Sequence, residues 1–118
     1  MLNLRRTDRV PAMFRALGDP TRVRIVRLLR GGELCVCDLM DVLRVPQAKT
    51  SRHLRYLLKA GLLTVREQGP WSYYALAPAG SEFHRRLLAC LFAVGTPEVA
   101  SDARRAGRIR KGDGCCPP

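Results

Sequence analysis

The 118-residue sequence predicts a mainly α-helical fold with one small β-hairpin, and three observations carry that prediction. Apolar residues recur at i, i+3 and i+4 in five separate segments, the spacing that lines one face of an α-helix. Two runs, Leu63–Gln68 and Trp71–Leu76, alternate instead like strands, with Gly69-Pro70 between them. Two of the helical segments are short, meet at a tight turn over Val45-Pro46, and the second opens with a polar, basic turn. A short helix, a tight turn, a polar-tipped helix and a hairpin make a winged helix-turn-helix, an α+β fold.

Taken in order, residues 1–8 carry Arg5, Arg6 and Asp8 without periodicity and read as a flexible arm. Val10, Met13, Phe14 and Leu17 form a stripe on a short helix that Gly18 ends. Asp19-Pro20 restarts the chain: aspartate caps the free N–H groups, and proline at the first helical position gives up only a donor that would be unpaired. The helix over 20–30 turns Ile25, Val26, Leu28 and Leu29 inward, with Arg24, Arg27 and Arg30 opposite, and stops at Gly31-Gly32. Leu34–Val36 suits a small strand. The next helix runs from Cys37 or Asp38 to Leu43 or Arg44 and buries Leu39, Val42 and Leu43. That over 47–60 buries Leu54, Leu57 and Leu58, and Gly61 closes it. Pro78 and Gly80 precede a last helix over 81–94, where Phe83, Leu87, Cys90, Leu91 and Val94 share a stripe that places Cys90 in the core. Leu88 and Phe92 widen this stripe beyond the needs of one small core, so the first and last helices are expected to join two copies as a homodimer.

Net charge is +11, from 21 Lys+Arg against 10 Asp+Glu, which points to a polyanionic partner, because basic residues that displace counterions supply most non-specific nucleic-acid affinity. No run of roughly 18 apolar residues is present, and no apolar stretch of about 7–15 follows the N-terminus, so neither a membrane span nor a signal peptide is expected and the location reads as cytoplasmic. Five cysteines in such a chain suit metal or redox chemistry better than a disulfide framework. No catalytic triad, carboxylate pair or phosphate loop is present, so the chain does not read as an enzyme.

A helix in the major groove reads base edges with its N-terminal residues. Gln47, Lys49, Thr50, Ser51, Arg52 and His53 stand at that end, and Arg66 and Gln68 on the hairpin are placed to meet phosphates or the minor groove. Residues 1–95 thus form a DNA-binding and dimerisation domain. Residues 96–118, with Arg104, Arg105, Arg108, Arg110 and Lys111, read as a flexible basic tail ending Cys115-Cys116-Pro117-Pro118.

Cys35-Val36-Cys37 supplies two thiols whose positions lie roughly 200° apart around a straight helix, so both reach one ion only at a helix end that unwinds or bends. A helix N-terminus also favours the thiolate that ligates soft ions. A closed zinc site wants about four ligands, and neither His53 nor His84 has a partner histidine at metal spacing. A third thiolate is available from Cys115 or Cys116; Met40, one turn past Cys37, reads as packing.

Glu33-Leu34-Cys35-Val36-Cys37-Asp38-Leu39 resembles the metal box of the ArsR/SmtB family of metal- and metalloid-sensing repressors. Leu17–Arg22, Ser51-Arg52-His53-Leu54 and Ala60-Gly61-Leu62 are similar to the family at the expected intervals, over roughly residues 10–94. The resemblance implies a homodimer that holds operator DNA in its apo form and leaves it when arsenite or antimonite binds Cys35 and Cys37. Met40 stands where many arsenic-sensing members carry a third cysteine, which raises the standing of Cys115 and Cys116. The alternatives are a repressor answering Cd(II), Pb(II), Zn(II) or thiol oxidation, a constitutive DNA binder, and a thiol oxidoreductase.

Overall fold

The computed structural model describes residues 2–95 and 97–114, with 2–8 and 113 described by backbone alone. The chain runs α1 (Leu2–Ala16), α2 (Pro20–Leu29), β1 (Leu34–Cys35), α3 (Val36–Leu43), α4 (Gln47–Lys59), β2 (Leu63–Gln68), β3 (Trp71–Leu76), α5 (Glu82–Ala93) and α6 (Pro97–Arg108), with a π-helical turn over Ile109–Asp113. Helices α2, α3 and α4 pack around one core in which Ile25, Val26, Leu39, Val42, Leu54, Leu57 and Leu62 are fully buried. All but Leu62, which follows α4, are the inward positions of the sequence stripes. Leu58 is half-buried and sits at the edge of that core.

Local chemistry sets the element ends. Asp19 accepts the Arg22 N–H at 3.0 Å and Pro20 follows it at the start of α2. Ser81 Oγ accepts the His84 N–H at 3.1 Å and opens α5. The short α3 ends with Arg44 in the left-handed region at φ 58°, which swings the chain through Val45-Pro46 into α4. In the hairpin Leu63 pairs with Leu76 and Gln68 with Trp71, and Gly69 takes the φ of 60° that the turn requires. Strand β1 adds to the far edge of β3, with Leu34 opposite Tyr74 and Cys35 opposite Tyr73, making an antiparallel sheet ordered β1-β3-β2.

Three expectations are corrected. The arm expected over residues 1–8 is helical from Leu2 and continuous with α1 through Pro11; it has no apolar period, but leucine and arginine are good helix formers and need no buried stripe to be helical. Residues 97–114 are not a flexible tail. They form α6 and the π-helical turn, packed on α2 and α3. The face of α6 that makes this contact carries the buried Asp102 and Ala106 and is continued by Ile109 in the turn, at i, i+4 and i+7. Small residues and one aspartate disguise a helical stripe that large residues would have revealed. Cys90, expected in the core, is exposed on the outer face of α5.

Arginines hold α6 in place. Arg24 Nε and Nη2 each donate to the Asp102 carboxylate at 2.9 Å. Arg105 donates to the Val42 carbonyl at 3.1 Å, and Arg110 to the Leu28 and Gly32 carbonyls at 2.8 and 2.7 Å. Arg105 and Arg110 thus bond carbonyls near the C-terminal ends of α3 and α2, where the helix dipole favours cations. Gly31 makes room for this: a Cβ there would lie 2.6 Å from Arg110 Nη1.

Candidate nucleic-acid interface and thiol site

Helix α4 buries Thr50, Leu54 and Leu57 and leaves Gln47, Lys49 and Arg52 exposed, with Ser51 half-buried. Pro46 caps it without a side-chain bond, so the first N–H groups of α4 remain open at the same end as the polar residues, a geometry that suits a phosphate. Arg55, Tyr56 and Lys59 continue the exposed face beyond the first turn. Sequence reading confined itself to the N-terminal turn and missed Arg55, although Arg52 and Arg55 are three apart and share a helix face.

Two residues expected at the reading surface point elsewhere. Thr50 is fully buried, and its hydroxyl donates to the Val45 carbonyl at 3.2 Å, bracing the turn before α4. His53 turns its ring toward the start of α2. Its Nδ1 lies 3.3 Å from Arg22 Nη1 and 3.8 Å from Asp19 Oδ2. A guanidinium can only donate, so Nδ1 accepts and a neutral ring carries its proton on Nε2, which is enclosed without a partner among the described residues. Burial holds His53 below its usual pKa, and the charges of Arg22, Lys49 and Arg52 add to that against Asp19. His53 therefore locks α4 to α2 as a neutral ring. Arg22 is the centre of this lock: it also donates to the Ala16 and Arg15 carbonyls at 2.7 and 3.1 Å and stacks over Tyr56 at 4.2 Å.

On the wing, Arg66 is bound by Glu33 through both Nε and Nη2, donates to Gln68 Oε1 at 2.6 Å and lies over the Tyr73 ring at 4.6 Å. Both wing residues named from the sequence are exposed, but each is engaged by the other, and Glu33 offsets the Arg66 charge. The hydrogen bonds from Arg66, and then its charge, hold the Glu33 carboxyl below its usual range against the opposing effect of burial. Glu33 directly precedes β1, so wing and cysteine segment are tied together twice, by this pair and by the β1–β3 ladder.

Cys35 caps α3 in extended conformation, at φ −82° and ψ 165°, and makes no capping bond, while Cys37 lies inside the first turn. The two sulfurs thus straddle a helix end, where the spacing argument requires them to be. Cys35 is buried and Cys37 half-buried. Cys35 is disulfide-bonded, and Cys37 and Cys90 are free thiols. Cys35 Sγ also lies 3.2 Å from Asp38 Oδ2, a sulfur–oxygen contact, since a disulfide sulfur has no hydrogen to donate. Asp38 is buried at the third position of α3. Gly114 comes back to this point: a Cβ on it would lie 3.0 and 3.1 Å from the two Asp38 oxygens. Cys115 and Cys116 lie outside the described residues. Among the described residues, no three His, Cys, Asp or Glu side chains gather as a metal shell. Met40 is half-buried on α3, and His84 is buried at the start of α5, where its Nδ1 accepts the Gly80 N–H at 3.3 Å.

A family profile described as bacterial regulatory protein, arsR family, matches residues 19–65, the stretch from the α2 cap through α3 and α4 into β2. An arsenic resistance transcriptional regulator of Pseudomonas putida is 38% identical over 111 residues, covering 90% of this chain and 96% of its own. The chain belongs to the ArsR family. A second arsenic resistance regulator of the same organism is 40% identical over 84% of this chain and 78% of its own length. The homodimeric winged helix-turn-helix domain of a possible ArsR-family regulator from Mycobacterium bovis superposes with a TM-score of 0.64 at 29% identity, over 74% of this chain and 78% of that one. ArsR-family proteins are transcriptional regulators and not enzymes, and α3 with α4 is the helix-turn-helix of this one. No helix among the described residues is long and apolar enough to cross a membrane.

Proposed function

We propose that this ArsR-family protein is an arsenite- and antimonite-responsive repressor, a homodimer that binds double-stranded operator DNA in its apo form and releases it when the metalloid binds cysteine thiolates. The observation that carries the reading is the position of Cys35 and Cys37 on the two sides of the α3 N-terminus, with Cys35 making no cap bond, one helix upstream of the exposed Lys49 and Arg52. Each thiol exchanges its proton for a bond to arsenic, and the proton leaves with an arsenic-bound hydroxide as water. Three thiolates complete the pyramidal ion; Cys115 or Cys116 is the third donor, which the return of Gly114 to Asp38 supports. Ligation requires the Cys35 sulfur to be reduced first.

In DNA binding, Gln47, Lys49, Ser51, Arg52 and Arg55 face the major groove or its phosphates, and Arg66 and Gln68 on the wing meet the backbone. The dimer forms through α1 and α5, supported by the exposed Phe14, at 56%, and Val94, at 57%, beside Cys90. A monomeric mass in solution would refute it. Closing one ion on both thiols bends the first turn of α3, which packs on α4, and pulls on β1, which is tied to the wing. Metalloid and DNA are then antagonistic, and reciprocally so. Moving the protein from about 99% bound to about 99% free needs a preference of roughly 5.5 kcal/mol.

Fluorescence anisotropy of the reduced protein on its upstream DNA, titrated with arsenite, antimonite, Cd(II), Zn(II) and peroxide, tests this. Arsenite and antimonite should release the DNA; Cys35→Ser and Cys37→Ser should bind DNA and ignore both, and release of either variant sinks the site. Cys115→Ser with Cys116→Ser should weaken the response by about tenfold or more if a tail thiol is the third ligand. A redox-responsive repressor is the second reading, favoured by the disulfide at Cys35; release by peroxide, reversed by a reductant and without need of metalloid, would choose it.

A further inference from the structure

A cavity of about 700 Å³ lies between α2 and α6, and the regulatory reading does not use it. The volume is that of a small-molecule site. Its walls are apolar where Val23, Leu28, Val99 and Ala106 face it, and its charge is unbalanced: Arg24, Arg27, Arg30 and Arg110 line it against only Glu98 and Asp102, a surplus of two cations.

Three of the four arginines are committed. Arg24 is bidentate on Asp102, Arg30 lies over the Phe92 ring at 4.8 Å, and Arg110 donates to the carbonyls of Leu28 and Gly32. Arg27 is half-buried at the cavity wall and has no ion-pair or hydrogen-bond partner among the described residues. A guanidinium against an apolar wall is a strong bidentate donor to a carboxylate, because the pair is partly shielded from water and the fork geometries match. We propose that the α2–α6 cavity binds a small aromatic carboxylate, its ring between Leu28 and Val99 and its carboxylate on Arg27. The site is separate from the thiols and does not depend on the metalloid reading.

The test uses the full-length reduced protein and 4-(trifluoromethyl)benzoate, followed by fluorine NMR line broadening, with 4-(trifluoromethyl)benzyl alcohol as the uncharged counterpart. The acid should bind with a submillimolar Kd and the alcohol at least tenfold more weakly. Arg27→Gln should weaken the acid about tenfold and leave the alcohol unchanged. Ala103→Trp, which fills the cavity from an exposed position on α6, should abolish binding of both while circular dichroism and DNA binding stay intact. Equal binding of acid and alcohol, an acid Kd unmoved by Arg27→Gln, or no broadening at millimolar acid would each overturn the proposal.

Discussion

Thr50 and His53 stand in the turn of α4 that was expected to read DNA, yet both face the protein. Thr50→Val keeps the shape but removes the bond to the Val45 carbonyl, so it should cost about 1 kcal/mol in urea unfolding and leave the salt slope of DNA binding unchanged. His53 makes a pH-dependent contribution. Its folded pKa lies below the ordinary 6.5, first through burial and then through neighbouring arginines and Lys49, so the folded state takes up its proton less readily than the unfolded chain. Stability is therefore full above pH 6.5 and falls as the pH drops from there toward the depressed value. His84, lowered by burial and by Arg9, acts in the same direction. Urea midpoints should fall between pH 7.5 and pH 5.5, and His53→Gln, which can still accept from Arg22, should flatten part of that fall; an unchanged slope in the variant would remove His53 from the account.

At the scale of elements, α6 is held by charge-assisted bonds onto a face of small residues rather than by a broad apolar seam. Asp102 is buried and Arg24 only partly so, so Asp102→Ala strands a guanidinium that water still reaches. The loss should be about 1–3 kcal/mol, less than for a fully buried pair, and should show as faster amide exchange in α6 before α4. Gly31→Ala pushes on Arg110 rather than on backbone, so it should loosen the end of α6 and spare the core. Proton-exchange protection in α6 that matches the wild type would refute both. The wing is tied in the same manner: Glu33→Gln leaves Arg66 without its counter-charge and should strengthen non-specific DNA binding at low salt, read by anisotropy.

For the whole molecule, the net charge of +11 predicts affinity for DNA that falls steeply with salt. Lys49→Gln or Arg55→Gln should each lower the log–log salt slope by about 1 if that side chain meets a phosphate. A slope unmoved by either change would mean that α4 meets DNA through another face. Truncation after residue 95 uncovers the side of α2 and α3 that α6 shields, so the shortened chain should melt at a lower temperature than the full chain.

The winged helix-turn-helix is legible in the chain because its signals are local: Asp19-Pro20 starts α2, the 39-42-43 and 54-57-58 stripes make two packed helices, and alternation around Gly69-Pro70 makes the hairpin. Also legible is that Cys35 and Cys37 share the start of α3, since spacing along the chain fixes angle around a helix. What those elements face follows from how the helices pack. Thr50 and His53 are polar residues on a polar turn, and nothing nearby in the chain announces that Val45 and Arg22 await them. The order of α6 likewise rests on Arg24 meeting Asp102 and Arg110 meeting Leu28, partners 78 and 82 residues apart. Such bonds depend on how the helices pack, and periodicity carries no record of them.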